Sequence, residues 1–151
     1  MSKQALHELL AHRPPMLLLD TLVSVDADGS CCEMTVSQST PFLNEDSSLP
    51  GWIGIELMAQ AIAVWGGWQS KNENRDVNIG MLLGSRKYES QVKAFPQNSR
   101  LIVKVTKIIR DGNLGVFDCS ISLNEKVVSK AQVSTYLPDE DDLKTILERQ
   151  I

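Results

Sequence analysis

The chain has 151 residues, which is the size of one domain and is enough to bury a hydrophobic core. Its composition is that of an ordinary globular protein, with 42% hydrophobic residues, 23% charged residues and a net charge of -4. It contains no dense run of lysine and arginine to neutralise phosphates, so nucleic acid is not an expected partner. We therefore expect a single globular domain over residues 1–151.

The first part of the chain predicts a short helix followed by a β-hairpin. Lys3 to Ala11 carries its leucines on one helical stripe, and Pro14-Pro15 ends this helix near His12. The stretch lacks a long apolar core and a small-residue cleavage site, so it is not expected to be a secretory signal. Met16 to Asp20 is an apolar run that enters a first strand, which continues to Val25. The letters DADG then form a tight turn into a second strand, where apolar and polar residues alternate.

Three cysteines are present: Cys31, Cys32 and Cys119. Adjacent cysteines do not readily bridge each other, and the spacing is not that of a metal site. We expect reduced thiols on strands, a cytoplasmic location, and neither a metal nor a cofactor.

The stretch that organises the chain is Gly51 to Trp68, with the sequence GWIGIELMAQAIAVWGGW. Only Glu56 and Gln60 interrupt an otherwise apolar or small run, and residues four apart lie on one face of a helix. Roughly 18 residues reach the lower limit of a membrane span, but a carboxylate and an amide are costly in hydrocarbon. The pattern therefore predicts a buried central helix in a protein without a membrane segment.

Two interpretations of Glu56 follow from its place on this helix. In the first, Glu56 caps or pairs with a neighbour in an ordinary core helix. In the second, it is a catalytic acid, because apolar surroundings favour the protonated form of a carboxyl group near neutral pH. The free amides after Pro50-Gly51 point at whatever lies in front of the helix start, where they can hold a carbonyl oxygen that gains negative charge.

The second half of the sequence is rich in predicted strands. Gln69 to Asp76 is a predicted connector, alternating segments follow it, and the residues after Pro138 predict a short surface helix. The predicted strands span 77–88, 101–106, 117–123 and 127–137. Together with the hairpin they predict an α+β fold, in which one antiparallel sheet of about six strands wraps around the central helix. Pairing of open sheet edges across a two-fold axis predicts a homodimer, with a higher oligomer also open.

Two motifs resemble those of the hotdog-fold β-hydroxyacyl-carrier-protein dehydratases, the FabZ and FabA group. His12 to Asp20, read HRPPMLLLD, is similar to the family's HRxPxLLxD, and Pro50 to Gln60 is similar to its PGxxxxExMAQ helix. A weaker match runs from Gly84 to Tyr88. The resemblance covers nearly the whole chain, and it is closest to the predicted 3-hydroxyacyl-carrier-protein dehydratases of aryl polyene clusters.

The resemblance implies dehydration of a 3-hydroxyacyl thioester to a trans-2-enoyl thioester, in fatty acid or aryl polyene synthesis. Glu56 would protonate the leaving hydroxyl group, and the amides of Gly51 and its neighbours would polarise the thioester carbonyl. Gln60 would lie where the family holds a water or helix contacts. The substrate would be tethered to acyl carrier protein or coenzyme A. An acidic carrier predicts a basic docking patch, with these candidates: Arg86, Lys87, Lys93 and Arg100.

The sequence departs from the family pattern in the loop before the central helix. The family carries its histidine base there, in a GHFPG loop, and residues 41–50 of this chain contain no histidine. His12 is the substitute base that the resemblance implies, with a structural turn histidine as the other interpretation, whereas His7 is expected to be inert. Phe42 and Asn44 of the loop are predicted substrate contacts, and Asp46 is a weaker candidate for the base.

Two other functions stay open at this stage. Some hotdog enzymes hydrolyse thioesters with a helical carboxylate and no partner histidine. The chain would otherwise be a non-catalytic acyl-binding subunit, or a subunit whose missing histidine comes from a second dehydratase in a mixed dimer.

Overall fold

The computed structural model describes residues 3–10, 16–72, 81–111 and 114–136. It contains two helices, α1 (Lys3–Leu9) and α2 (Ile53–Asn72). The strands are β1 (Thr21–Asp26), β2 (Gly29–Thr35), β3 (Leu49–Pro50), β4 (Met81–Ser90), β5 (Ala94–Phe95), β6 (Arg100–Asp111), β7 (Leu114–Leu123) and β8 (Lys126–Tyr136). The predicted final helix and the Pro14-Pro15 turn lie outside the described residues.

Six strands form one antiparallel sheet in the order β1-β2-β6-β7-β8-β4, and β3 pairs with β5 in a separate two-stranded ribbon. Strand residues alternate between the two faces of the sheet. Val103, Phe117 and Ile121 point inward and are fully buried, whereas Lys104 and Asp118 lie on the exposed outer face. This arrangement is the predicted α+β hotdog fold, with a six-stranded sheet packed around one long helix.

Helix α2 is apolar on most sides because the sheet and α1 cover it. Leu57, Met58, Ala61 and Trp65 are completely buried. The Trp65 ring packs edge-on against Phe117 of β7, at 5.3 Å between ring centroids. Burial of these side chains is the main force that holds the helix against the sheet.

The helix is longer than predicted, because it continues through Gln69 to Asn72. The prediction ended the helix at Trp68, after Gly66-Gly67, but Gly67 has a packing role inside the helix. A Cβ atom at Gly67 would lie 2.0 Å from the carbonyl oxygen of Leu9, so glycine allows the end of α1 to cross α2 closely. No proline follows within the helix, and Ser70 is buried in its last turn.

The first strand begins later than predicted, at Thr21. The leucines at 17 to 19 are buried, as the apolar run predicted. The Leu18 N–H, however, donates to the side chain of Gln60 on α2 and not to a neighbouring strand. The strand after the central helix is described from Met81 and extends to Ser90, two residues beyond the predicted end.

The cysteines are free thiols on β2 and β7, as predicted. Burial raises the pKa of both Cys32 and Cys119 to about 12, so these two thiols stay protonated and unreactive at neutral pH. Within the described ranges, no helix combines the length and the apolar character that crossing a bilayer requires.

Candidate active site

The two polar residues of α2 lie together at its N-terminal end. Glu56 is the fourth residue of the helix and is half-buried, while Gln60, one turn later, is completely buried. Glu56 is thus less shielded from water in the single chain than the sequence predicted. The helix start and the adjoining face of α2 form the candidate active site.

The side-chain amide of Gln60 makes three hydrogen bonds. Its Nε2 donates to the carbonyl oxygen of Met16 at 2.8 Å and to Oε1 of Glu56 at 3.0 Å. Its Oε1 accepts the N–H of Leu18 at 3.0 Å. A primary amide has two N–H donors, and both are used here. Gln60 therefore has both amide donors occupied by protein groups, and one of them holds Oε1 of Glu56.

This network also explains why the two resembling motifs occur in one chain. Met16 and Leu18 belong to the HRPPMLLLD segment, whereas Glu56 and Gln60 belong to the central helix. The Gln60 amide joins these segments across more than 40 positions of sequence. The N-terminal motif therefore contributes to the orientation of the helical carboxylate.

The start of α2 offers two amides to a ligand. Gly51 is not one of them, because its N–H donates to the carbonyl oxygen of Lys93 at 2.8 Å. A Cβ atom at Gly51 would lie 2.9 Å from that oxygen, so the contact requires glycine. The N–H groups of Trp52 and Ile53 have no hydrogen-bond acceptor among the residues that the structure describes. These amides can hold a carbonyl oxygen.

The loop before α2 is closed by its own side chains. Asn44 donates from Nδ2 to Oγ of Ser48 at 3.0 Å, and Asp46 accepts both the N–H and the hydroxyl group of Ser48. The hydrogen bonds from Ser48 lower the pKa of Asp46, which keeps this carboxylate ionised and fixed in the turn. This placement favours a turn role for Asp46 over the role of base.

Phe42 and Trp52 are two large apolar side chains that this region exposes. Phe42 is 50% exposed and has a φ of 68°, and Trp52 is 66% exposed. A non-glycine residue in the left-handed region is strained, and such residues concentrate at functional sites. Their exposure fits the predicted substrate contacts.

His12 lies outside the described residues, and His7 is a half-buried residue of α1.

Tyr88 is a residue of the site that the sequence interpretation missed. It lies at a bulge of β4, where pairing with β8 shifts between Arg86 and Glu89. Its hydroxyl group donates to the carbonyl oxygen of Gly51 at 2.5 Å. The motif match from Gly84 to Tyr88 drew attention to the segment, but a bulge and its direction leave no pattern in a single sequence.

A hotdog sheet with a carboxylate one turn into the central helix, behind helix-start amides without an acceptor among the described residues, is typical of enzymes that act on acyl thioesters. The family model for ApeP-like proteins, described as ApeP dehydratase, matches residues 4–148. The chain belongs to this family. The predictions of the hotdog fold, the family and the dehydratase activity are thereby confirmed.

Individual proteins agree with the family assignment. The chain is 28% identical to a 3-hydroxyacyl-(acyl-carrier-protein) dehydratase FabZ from Brucella melitensis, over 92% of this chain and 90% of that one. It is 38% identical to a chain of the dehydratase heterocomplex ApeI:P from Xenorhabdus doucetiae, with a TM-score of 0.86 and coverage of 94% and 96%. A hypothetical thioesterase from Streptococcus pneumoniae, solved with coenzyme A, shares the fold at 18% identity, with a TM-score of 0.62 and coverage of 78% and 84%.

Proposed function

We propose that this protein removes water from a 3-hydroxyacyl thioester carried by acyl carrier protein and releases the trans-2-enoyl thioester. The observation that carries the proposal is the Glu56 carboxylate, held by Gln60 one turn inside a helix whose first free amides belong to Trp52 and Ile53. The FabZ relatives and the ApeI:P heterocomplex support the choice of dehydration over thioester hydrolysis, because the thioesterase neighbour shares the fold alone.

The elimination needs helix-start amides, a base and an acid. The Trp52 and Ile53 amides hold the thioester oxygen, which makes the hydrogen on the adjacent carbon more acidic. A base removes that proton, and the electrons of the broken C–H bond form the new carbon–carbon double bond. The bond from the β-carbon to its hydroxyl oxygen breaks, and Glu56 gives its proton to the departing oxygen. The products are the enoyl thioester and water.

The base is the group that this chain supplies least directly. Residues 41–50 contain no histidine, and His12 stands four positions before Met16 in the sequence. We assign His12 as the base of a homodimer and a partner's histidine as the base of a mixed dimer. The dehydratase heterocomplex ApeI:P supports a mixed dimer, because one of its chains is similar to this one along nearly its whole length. Among the described strands, β4 forms a sheet edge where such pairing can occur.

Replacing His12 by alanine separates these two assignments. If His12 is the base, the variant loses about 100-fold or more of its kcat on a 3-hydroxyacyl carrier-protein thioester. If a partner supplies the base, the chain alone is inactive, and adding a second dehydratase that has a loop histidine restores the enoyl product. The mixed assembly is then equally active with the wild-type chain and with the His12→Ala chain. Release of free thiol without an enoyl product would overturn dehydration in favour of hydrolysis.

One of the four basic residues predicted to bind an acidic carrier protein is already paired in the structure. Arg100 forms an ion pair with Glu33, so its charge is partly neutralised. Lys87 and Lys93 are exposed, and Lys93 is anchored beside the helix start because its carbonyl oxygen accepts the Gly51 N–H. From residue 86 to residue 107 the chain has six basic residues and one acidic residue, although its net charge is -4. This local excess of positive charge supports docking of an acidic carrier protein here.

Reversing the charge of Lys93 tests this docking. We expect Lys93→Glu to raise KM about tenfold for a carrier-protein thioester at low salt, because it places a like charge against an acidic carrier. The same variant should leave KM for a short pantetheine thioester unchanged, since that substrate has no carrier surface. Lys126→Glu, which changes an exposed lysine of the β7–β8 turn, is the matched control. Equal effects on both substrates would contradict carrier docking at Lys93.

The remaining proposals concern assembly and location. We propose a dimer, formed by two copies or with a second dehydratase, because each central helix leaves Glu56 half-exposed for a partner to cover. We also propose a cytoplasmic location, on the strength of the reduced thiols and the carrier-protein substrate.

A further inference from the structure

Tyr88 is bound to the same peptide group that supplies a substrate-binding amide. Its hydroxyl group donates to the carbonyl oxygen of Gly51. That carbonyl belongs to the peptide group between Gly51 and Trp52, whose N–H is the first open amide at the start of α2. A peptide group is planar and trans, so its N–H points away from its C=O in a fixed direction. Whatever holds the Gly51 carbonyl therefore also aims the Trp52 amide.

The Gly51 residue is fixed from both sides. Its N–H donates to the Lys93 carbonyl oxygen at 2.8 Å, and its own carbonyl oxygen accepts the Gly54 N–H at 3.0 Å as well as the Tyr88 hydroxyl group. The helical bond from Gly54 alone permits some rotation of this first peptide plane, since helix ends fray. The Tyr88 hydroxyl group adds a second donor from outside the helix, on a strand that pairs with β8.

Two local features place the Tyr88 ring over the helix start. Lys87 has a φ of 55°, and the bulge that contains it turns the chain of β4 at this point. Gly54 leaves room for the ring, because a Cβ atom at Gly54 would lie 2.2 Å from the Tyr88 hydroxyl oxygen. A left-handed residue on one element and a glycine on the other both serve this single contact.

We propose that Tyr88 is a positioning residue for the dehydration reaction, which orients the Trp52 amide toward the thioester oxygen through its hydrogen bond to the Gly51 carbonyl. This inference rests on the proposed function. Tyr88 does not touch the reacting atoms in this role. It limits the rotation of one peptide group, so that a donor is already aimed when negative charge develops on the thioester oxygen.

Two substitutions break the contact by independent routes. Tyr88→Phe removes the hydroxyl group and keeps the ring. Gly54→Ala keeps the hydroxyl group and displaces it, because the new methyl group occupies its place and the end of a tyrosine side chain can move. We expect each variant to lower kcat about tenfold with little change in KM, because the donor acts mainly on the transition state. The double variant should be no worse than either single variant, since both remove one interaction.

Ser30→Ala is the matched control for a merely structural hydroxyl group. Ser30 is buried and donates from its hydroxyl group to the carbonyl oxygen of Ala61, farther along the same helix, at 2.7 Å. Ser30→Ala therefore removes a hydrogen bond from a hydroxyl group to a backbone carbonyl oxygen, as Tyr88→Phe does, but away from the helix start. If Tyr88 only stabilises the fold, Tyr88→Phe and Ser30→Ala will lower the unfolding midpoint alike and leave kcat unchanged, which overturns the proposal.

A binding measurement separates failure of this inference from failure of the proposed function. The backbone amide of Trp52 is followed by nitrogen-15 NMR while a 3-hydroxyacyl pantetheine thioester is added to the full chain. A downfield proton shift in the wild type that is lost in Tyr88→Phe supports the inference, even if no enoyl product forms. An unshifted Trp52 amide in a wild type that binds the thioester overturns it, and dehydration is then judged by product formation alone.

Discussion

Glu56→Gln is expected to lower the dehydration rate by about 100- to 10,000-fold while the fold stays intact, because the amide cannot give the departing hydroxyl group a proton. The substitution keeps an oxygen that can accept the hydrogen bond from Nε2 of Gln60. The side-chain shape and the bond from Gln60 are therefore kept. The measurement is formation of the enoyl thioester from a 3-hydroxyacyl carrier-protein thioester, in whichever assembly shows activity.

The control for this variant makes the same chemical change elsewhere. Glu125 is exposed in the turn between β7 and β8, and Glu125→Gln should keep activity within about twofold, as surface substitutions generally do. Unfolding curves of the two variants should match that of the wild type. Full activity of Glu56→Gln would remove Glu56 from the mechanism, and hotdog architecture would then be all that remains of the proposal.

Gln60→Leu is expected to impair both stability and catalysis. Leucine has a similar size but leaves the Leu18 N–H and the Met16 carbonyl oxygen without their partner. The buried Leu18 N–H left unpaired costs about 1–3 kcal/mol, whereas the carbonyl oxygen of the half-exposed Met16 can bind water, so the free energy of unfolding should fall by about 1–3 kcal/mol in urea titrations. We also expect kcat to fall by about tenfold, since Glu56 loses the donor that holds Oε1.

Gln91→Leu is a suitable control, because the Gln91 side chain is exposed just after β4 and, among the described residues, Gln91 is bonded through its backbone N–H, to the carbonyl oxygen of Val128. It should leave the free energy of unfolding within about 0.5 kcal/mol of the wild type. If Gln60→Leu were as stable as Gln91→Leu, the network around Gln60 would have no energetic importance. If it were unstable but fully active when folded, Gln60 would have no part in orienting Glu56.

The architecture could be predicted because hydrophobic periodicity is a local property. Apolar and polar residues alternate along β6 and β7, and α2 is one apolar run, so each pattern is visible among residues that are close in sequence. Turn residues mark where these elements end. The errors in element ends arose where tertiary contacts override local signals. The helix continues through Gly67 because α1 crosses α2 at this glycine, and the Leu18 N–H bonds to Gln60 of α2 instead of to a neighbouring strand.

The site could be predicted only in part, for the same physical reason. Glu56 and Gln60 stand out because polar residues on an apolar helix need an explanation. The commitment of the Gly51 amide to Lys93 depends on a contact across 42 positions, and the Tyr88 bond depends on the direction of a bulge. Neither is encoded by residue type and spacing alone.

The bridge that Gln60 makes to Met16 and Leu18 has a practical outcome for anyone who produces this protein. Because Gln60 joins Glu56 to residues 16–18, a substitution in that segment that was chosen for solubility or labelling can disturb turnover without unfolding the sheet. Variants of this segment should therefore be judged by specific activity as well as by folding.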